Sequence, residues 1–269
     1  MILYVYILIS AVITALAGTV GGIFGESYGW WVTPLMLVGI TLGIILLHCA
    51  VLAIMVAAVR LDKPPRDTEF FRNVVDAFLH LAFKLARVDV HLSGTEKIPQ
   101  NERFLLVCNH IHDFDPAIIL YAAPKSRLAF IAKREVRELY PFVYKALHKM
   151  NGLPIDREHD RDAAKTIINA VKLIKNDQNS VAVFPEGYVS LSGELLPIRA
   201  GARKIATKNG CKIVVCTLKG TKGIVKNMFR RHHDVYFDVL EVIDTEGITQ
   251  TAALSEQVHS IMLNNLSKD

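Results

Sequence analysis

The residues with chemistry to offer gather directly after an apolar run ending Leu105-Leu106-Val107-Cys108, in the segment Asn109-His110-Ile111-His112-Asp113-Phe114-Asp115-Pro116. An imidazole accepts a proton well when a carboxylate holds its other nitrogen and stabilises the imidazolium that forms. His110 and Asp115 stand five positions apart, enough chain for the two side chains to turn back and meet, so they can work as a general base and its orienting acid. Asp115 followed by Pro116 equally suits the cap and first turn of a helix. A zinc site at His112 and Asp113 is a third reading. It lacks a further ligand cluster, because His232-His233 lies in a basic loop beside Arg230 and Arg231, and no metal is expected.

Cations follow two further apolar runs. Lys133 comes after Phe130-Ile131-Ala132, and Arg157 comes after Gly152-Leu153-Pro154-Ile155-Asp156. Both suit a phosphate, Arg157 in bidentate fashion; each also suits a solvated charge or an ion pair with Asp156 or Glu158. After Val181-Ala182-Val183-Phe184 comes Pro185-Glu186-Gly187-Tyr188, where the carboxylate can bind hydroxyls and the glycine permits close approach or a plain turn. Arg199 precedes the next helical stretch.

These segments need elements to position them. Seven β-rich runs recur at 88–92, 103–108, 127–132, 152–155, 180–184, 212–218 and 235–243. Helical patterns lie between most of them, at 116–123, 135–149, 159–176, 200–209 and 253–266. Such alternation predicts an α/β domain whose sheet is at least partly parallel and flanked by helices, with 235–243 as an antiparallel edge strand. Ligands of open α/β sheets gather beyond the carboxyl ends of strands, which is where these residues fall.

The first 59 residues are of another kind. They carry one acidic residue, Glu26, and no Lys or Arg, so all 31 basic side chains fall in 60–269. Met1 to Gly25 and Val32 to Val59 are long enough to cross a bilayer, and helix is the reasonable state there. The intervening residues 26–31, with Trp30 and Trp31, suit a hairpin loop at headgroup level. A cleaved signal peptide would want a basic start and a shorter apolar core, and the second long run argues against it. Arg60, Lys63 and Arg66 follow at once, which by the positive-inside rule places the domain on the cytoplasmic side of a multi-pass cell-membrane protein. The expected organisation is a two-helix anchor over 1–60, an amphipathic connecting helix over 61–87, and a catalytic domain over 88–269. The connecting helix, with Phe70, Phe71, Val74, Val75, Phe78, Leu81 and Leu85, suits either packing on the domain or lying in the membrane interface. The basic surface fits a bilayer and a phosphorylated substrate better than nucleic acid. Cys49, Cys108, Cys211 and Cys216 show no paired spacing and read as reduced core residues.

Taken in order, the three blocks resemble the glycerolipid acyltransferase family that includes 1-acylglycerol-3-phosphate acyltransferases. Asn109, His110 and Asp115 match its Asn-His-x4-Asp motif. Gly152, Ile155 and Arg157 match the second block, and Phe184 to Gly187 match Phe-Pro-Glu-Gly in full. The resemblance covers about residues 85–220. It implies transfer of a fatty-acyl group from acyl-CoA or acyl-carrier protein, a co-substrate rather than a cofactor, to the hydroxyl of a lysophospholipid acceptor, first of all 1-acylglycerol-3-phosphate. His110 would be the base and Asp115 its orienter, with Lys133 and Arg157 on the acceptor phosphate and Glu186 and Gly187 lining the acceptor pocket. Amides after Pro116 would stabilise the oxyanion. The family often continues its third motif with Thr-Arg, whereas Tyr188-Val189 stands here, and Arg199 is the compensating cation. The fourth block usually carries a proline that Ile213-Val214-Val215-Cys216 lacks. Both departures touch the acceptor more than the reaction, so another lysolipid or hydroxylated acceptor is the alternative.

Two rival functions remain. Gly25-Glu26-Ser27-Tyr28-Gly29 fits the Gly-x-Ser-x-Gly pattern of a serine hydrolase, but it lies between two membrane runs and not between a strand and a helix. A non-catalytic lipid-binding membrane protein would use the same anchor and basic face without needing His110.

Overall fold

The site-bearing strands are held in one seven-stranded sheet. In the computed structural model, which describes residues 2–156, 159–190, 194–224, 228–248 and 251–267, the strands are β1 Val88–Ser93, β2 Leu105–Cys108, β3 Leu128–Lys133, β4 Leu153–Ile155, β5 Ser180–Val183, β6 Ile213–Lys219 and β7 His233–Ile243. Their order is β1-β7-β6-β2-β5-β3-β4, with every neighbouring pair parallel except β6 and β7. β7 is antiparallel as expected but is not the edge, because β1 pairs along its outer side from Val88↔His233 to Ser93↔Asp238. A burial pattern reports which face a strand covers and says nothing of who pairs with it, so that placement was not readable in advance.

β2 lies centrally between β5 and β6, and all four of its residues are buried. Its side chains alternate between two cores, as the period of a strand requires. Leu106 and Cys108 join Phe71, Phe83, Ile118, Ile119 and Phe237 on one face. Leu105 and Val107 join Ala170, Ile174, Ile205, Val258 and Met262 on the other. The first face is covered by α3 (Glu69–Leu85), α4 (Asp115–Ala122) and the end of α2 (Gly29–Ala57), after α1 (Ile2–Val20). The second is covered by α7 (Asp160–Lys175), α8 (Ala200–Asn209) and α9 (Thr251–Leu266). The helix expected over 135–149 is two, α5 (Val136–Leu139) and α6 (Pro141–Lys149). Pro141 drives the preceding residue out of the helical region, and Tyr140 sits at φ −137°, ψ 66°. All four cysteines are free, and burial pushes the Cys108 and Cys216 thiols well above the usual range.

The two N-terminal helices pack on each other as a hairpin and are long and apolar enough to cross a membrane, with most of their surface uncovered. The turn between them is not the six-residue loop expected over 26–31 but the eight residues 21–28, with a short 3-10 turn at Ile23–Gly25, since α1 ends at Val20 and α2 starts at Gly29 and takes in Trp30 and Trp31. A Cβ at Gly29 would stand 2.4 Å from the Ile23 carbonyl oxygen, so a glycine is required there. His48 bonds Tyr6 of α1 at 2.8 Å and the Val74 carbonyl of α3 at 3.1 Å, tying the hairpin to the domain. Leu52 and Val56, near the end of α2, belong to the domain core itself.

Of the two readings of the connecting helix, α3 adopts domain packing. Thr68 caps it, accepting the Phe71 amide at 3.3 Å, and Phe71, Arg72, Leu79, Leu81 and Phe83 are buried. Just before it, Asp67 receives both arms of Arg72, at 2.7 and 3.0 Å, together with Arg127 and Asn179, each at 3.0 Å. Arg72 also donates to the carbonyls of Leu128 and Met150, at 3.0 and 3.3 Å. This buried knot fastens α3 to the amino ends of β3, β4 and β5, opposite the end where the motif residues emerge.

Candidate active site

β2 ends at Cys108, and the next two residues are fixed before any chemistry begins. Asn109 is buried and its amide mimics one more strand residue. Nδ2 donates to the Leu218 carbonyl at 2.9 Å, while Oδ1 accepts the Leu218 amide at 2.7 Å. The backbone of His110 is then held on both sides by the loop after β5. Its N–H donates to Glu186 Oε1 at 2.9 Å and its carbonyl accepts the Ser190 amide at 2.7 Å. The imidazole stacks on Phe184, centroids 3.9 Å apart and planes 12° from parallel. A ring so confined has little rotamer freedom left.

His110 Nδ1 and Asp115 Oδ2 lie 2.9 Å apart. The Asp115 side chain is fully buried, which a carboxylate tolerates only when its lone pairs are met. They are met by the amides of Ile111 and His112, at 2.7 and 2.9 Å, and by the Thr221 hydroxyl at 2.7 Å on Oδ1. All four partners lie outside α4, so Asp115 opens the helix in sequence but directs its carboxylate back at the loop. A carboxylate accepting from Nδ1 fixes the tautomer with the proton there and leaves Nε2 as the basic nitrogen. Among the described residues no protein group bonds Nε2, and the side chain is 16 % exposed.

The neighbouring candidates for metal ligation are otherwise engaged: His112 Nδ1 accepts the Phe114 amide at 3.2 Å, and Asp113 accepts the Tyr140 hydroxyl at 3.1 Å. The first amides beyond Pro116 are engaged too, since Ala117 and Ile118 donate to the Phe114 carbonyl at 3.0 and 3.4 Å. The expected oxyanion donors are therefore turned into the helix start.

Glu186 is 2 % exposed. Its oxygens accept the amides of His110 and Leu196, each at 2.9 Å, so the carboxylate braces the loop that walls the site. Burial pushes its carboxyl above the usual range, against the pull of those two amides. Gly187 sits at φ +80°, and a Cβ there would come within 2.9 Å of Arg199 Cδ and Nε. The glycine thus supplies both the left-handed turn and the space through which Arg199 passes. The Arg199 guanidinium lies 4.7 Å from the Tyr188 ring centroid, and Lys133 Nζ lies 5.3 Å from the same ring. Lys133, expected after a strand, and Arg199, expected ahead of a helix as the compensating cation, therefore converge on the tyrosine that stands where the family pattern has threonine. Arg157 lies outside the described residues. Sequence reasoning passed over Phe184's ring, Asn109's pairing and Thr221, and met Tyr188 only as a departure from the family pattern. The rule of searching after each strand would have reached Thr221, two residues beyond β6.

Comparison with known proteins bears on this arrangement. The family model described as Acyltransferase matches residues 89–219, from β1 through β6, which includes His110, Asp115 and the Phe184–Gly187 turn. The 1-acyl-sn-glycerol-3-phosphate acyltransferase of Borreliella burgdorferi is 29 % identical over 192 residues, 68 % of this chain and 75 % of that protein. The human 1-acyl-sn-glycerol-3-phosphate acyltransferase alpha is 28 % identical over 223 residues, 81 % of this chain and 76 % of the relative. Among solved structures, the 1-acyl-sn-glycerophosphate (LPA) acyltransferase PlsC of Thermotoga maritima superposes with a TM-score of 0.64 at 25 % identity, covering 82 % of this chain and 88 % of that one. Motifs, sheet topology and relatives agree: residues 89–219 carry an Acyltransferase domain, and the chain is similar over most of its length to 1-acyl-sn-glycerol-3-phosphate acyltransferases.

Proposed function

We propose that this acyltransferase moves a fatty-acyl group from acyl-CoA or acyl-carrier protein to the hydroxyl of 1-acylglycerol-3-phosphate, giving phosphatidic acid, at a membrane held by its N-terminal hairpin. The observation that carries the reading is the His110–Asp115 pair, 2.9 Å apart, with Nε2 left for a substrate proton. His110 Nε2 takes the proton of the acceptor hydroxyl as the oxygen attacks the thioester carbonyl. A C–O bond forms, the C–S bond breaks, and the imidazolium returns its proton to the leaving thiolate. Asp115 stabilises the imidazolium in between. No enzyme-bound acyl intermediate and no cofactor enters. Positioning of hydroxyl against thioester supplies the rest of the acceleration. Lys133 and Arg199, gathered at Tyr188, and Arg157 take the acceptor phosphate, while Glu186 and Gly187 shape the wall of its pocket.

That the relatives are 1-acyl-sn-glycerol-3-phosphate acyltransferases supports the acceptor, and Tyr188 in place of the family's threonine is the reason to test it. Purified protein in detergent is given oleoyl-CoA or oleoyl-carrier protein and a panel of lysolipids differing only in headgroup. The expected result is release of free thiol with 1-acylglycerol-3-phosphate at a kcat/KM at least tenfold above the other lysolipids. Preference for another headgroup would reassign the acceptor. Binding of lysolipid with no thiol release from either donor would favour the non-catalytic lipid-binding reading.

A further inference from the structure

Seven consecutive residues, 137–143, are exposed where α5 turns into α6, and four of them are large and apolar: Leu139 (70 % exposed), Tyr140 (46 %), Phe142 (48 %) and Val143 (47 %). Water is a poor neighbour for such a cluster, and contiguous apolar patches of this kind mark an interaction surface. Its position in the fold identifies the partner. Lys145 donates to the Ala57 carbonyl at the end of α2 at 3.0 Å, His148 bonds the Lys63 carbonyl at 3.1 Å, and Lys149 donates to the Arg66 carbonyl at 3.4 Å. Running from Lys145 to Lys149, α6 therefore descends from the end of the apolar helix along the linker that follows it. Its N-terminal turn, with Phe142 and Val143, lies back toward the apolar body of α2. The surface of α2 is itself largely uncovered. The linker beside it exposes Arg60, Lys63 and Arg66 against one acid, Asp62, a balance complementary to anionic headgroups. At its inner end Tyr140 donates to Asp113, within the loop between His110 and Asp115.

We infer that the α5–α6 corner is a second membrane contact, dipping Leu139, Phe142 and Val143 into the headgroup–acyl boundary beside α2 and setting the mouth of the His110 site against the lipid surface. This rests on the membrane reading of the hairpin and adds to it a contact made by the catalytic domain itself. A lysolipid would then reach His110 by sliding out of the bilayer past Tyr140, without crossing water.

Single-tryptophan chains test it, with Trp30 and Trp31 replaced by phenylalanine and one probe added as Phe142→Trp, Leu46→Trp or Ile168→Trp. Each is reconstituted in phosphatidylcholine–phosphatidylglycerol vesicles whose lipids carry bromine at shallow acyl carbons. The inference predicts at least twofold quenching at positions 46 and 142 and little at 168, which lies on exposed α7. Quenching at 46 but not at 142 overturns the corner contact and leaves the hairpin's membrane role standing. Quenching at neither removes both. A functional arm uses Phe142→Ser/Val143→Ser. Transfer to long-chain acceptor presented in vesicles should fall at least fivefold, with transfer to a short-chain, monomeric acceptor unchanged. Equal activity on vesicle-borne acceptor would also overturn it.

Discussion

His110 and Asp115 show how much a residue's own sequence neighbourhood can reveal. Five positions of separation after a strand let the two side chains meet, with a helix cap and a zinc site as the other readings, and the structure brings Nδ1 and Oδ2 to 2.9 Å. Thr221 and Asn109 were invisible by the same logic: their partners, Asp115 and Leu218, lie 106 and 109 positions away, and only the parallel pairing of β2 with β6 brings them near. Thr221→Val removes the only donor on Asp115 Oδ1 among the described residues, and an unmet buried acceptor costs about 1–3 kcal/mol. If that shifts the carboxylate, kcat falls about tenfold while the acceptor KM holds, which steady-state kinetics would show. Gly187→Ala forces a side chain into φ +80° and into the path of Arg199. Its expected effect falls on acceptor binding: a KM for phosphate-bearing lysolipid raised several-fold, with a smaller change for a lysolipid lacking a terminal phosphate. Both substitutions sit beside the site and neither removes the proposed base.

Elements were the most legible scale. All seven strand runs recur in the structure, and so do the helices between them, with 135–149 split at Pro141, since alternating apolar runs and amphipathic periods are recorded in contiguous residues. What the pattern could not carry was pairing, as in β7, and the choice between two environments for the same periodicity, as in α3. That choice is made by polar residues. The Asp67–Arg72 knot needs α3 packed down on the sheet, and removing one partner of such a buried pair costs about 3–5 kcal/mol. Burial alone would push the Asp67 carboxyl up. The bond and charge of Arg72, with Asn179 and Arg127, hold it below its ordinary value. A carboxyl pKa lower in the folded than in the unfolded chain stabilises the fold above the unfolded value, and that contribution is lost as pH falls through the folded one. Asp67→Asn should therefore melt well below the unmodified protein at pH 7, with the gap closing as the buffer is taken down into and below the carboxylate range. A gap independent of pH would mean the knot works through shape alone.

At the scale of the molecule, α2 is both a helix long and apolar enough to cross a membrane and a part of the domain core. Its 29 residues span about 43 Å, well beyond an apolar bilayer thickness of about 30 Å, and the excess carries Leu52 and Val56 into the domain. Leu52→Ala should cost about 2–5 kcal/mol of domain stability, while Leu46→Ala, 68 % exposed, should leave the melting temperature in detergent nearly unchanged. Equal effects would mean the hairpin and domain are mechanically separate. The sequence displayed the apolar runs but not this sharing, because a helix that is apolar on every side does not declare which turn meets protein. The most direct test is acyl transfer from oleoyl-CoA to 1-acylglycerol-3-phosphate by His110→Ala in the otherwise intact protein. The account predicts a loss of about 10²–10⁴-fold in kcat, with melting temperature and vesicle binding preserved; transfer at the unmodified rate would contradict it.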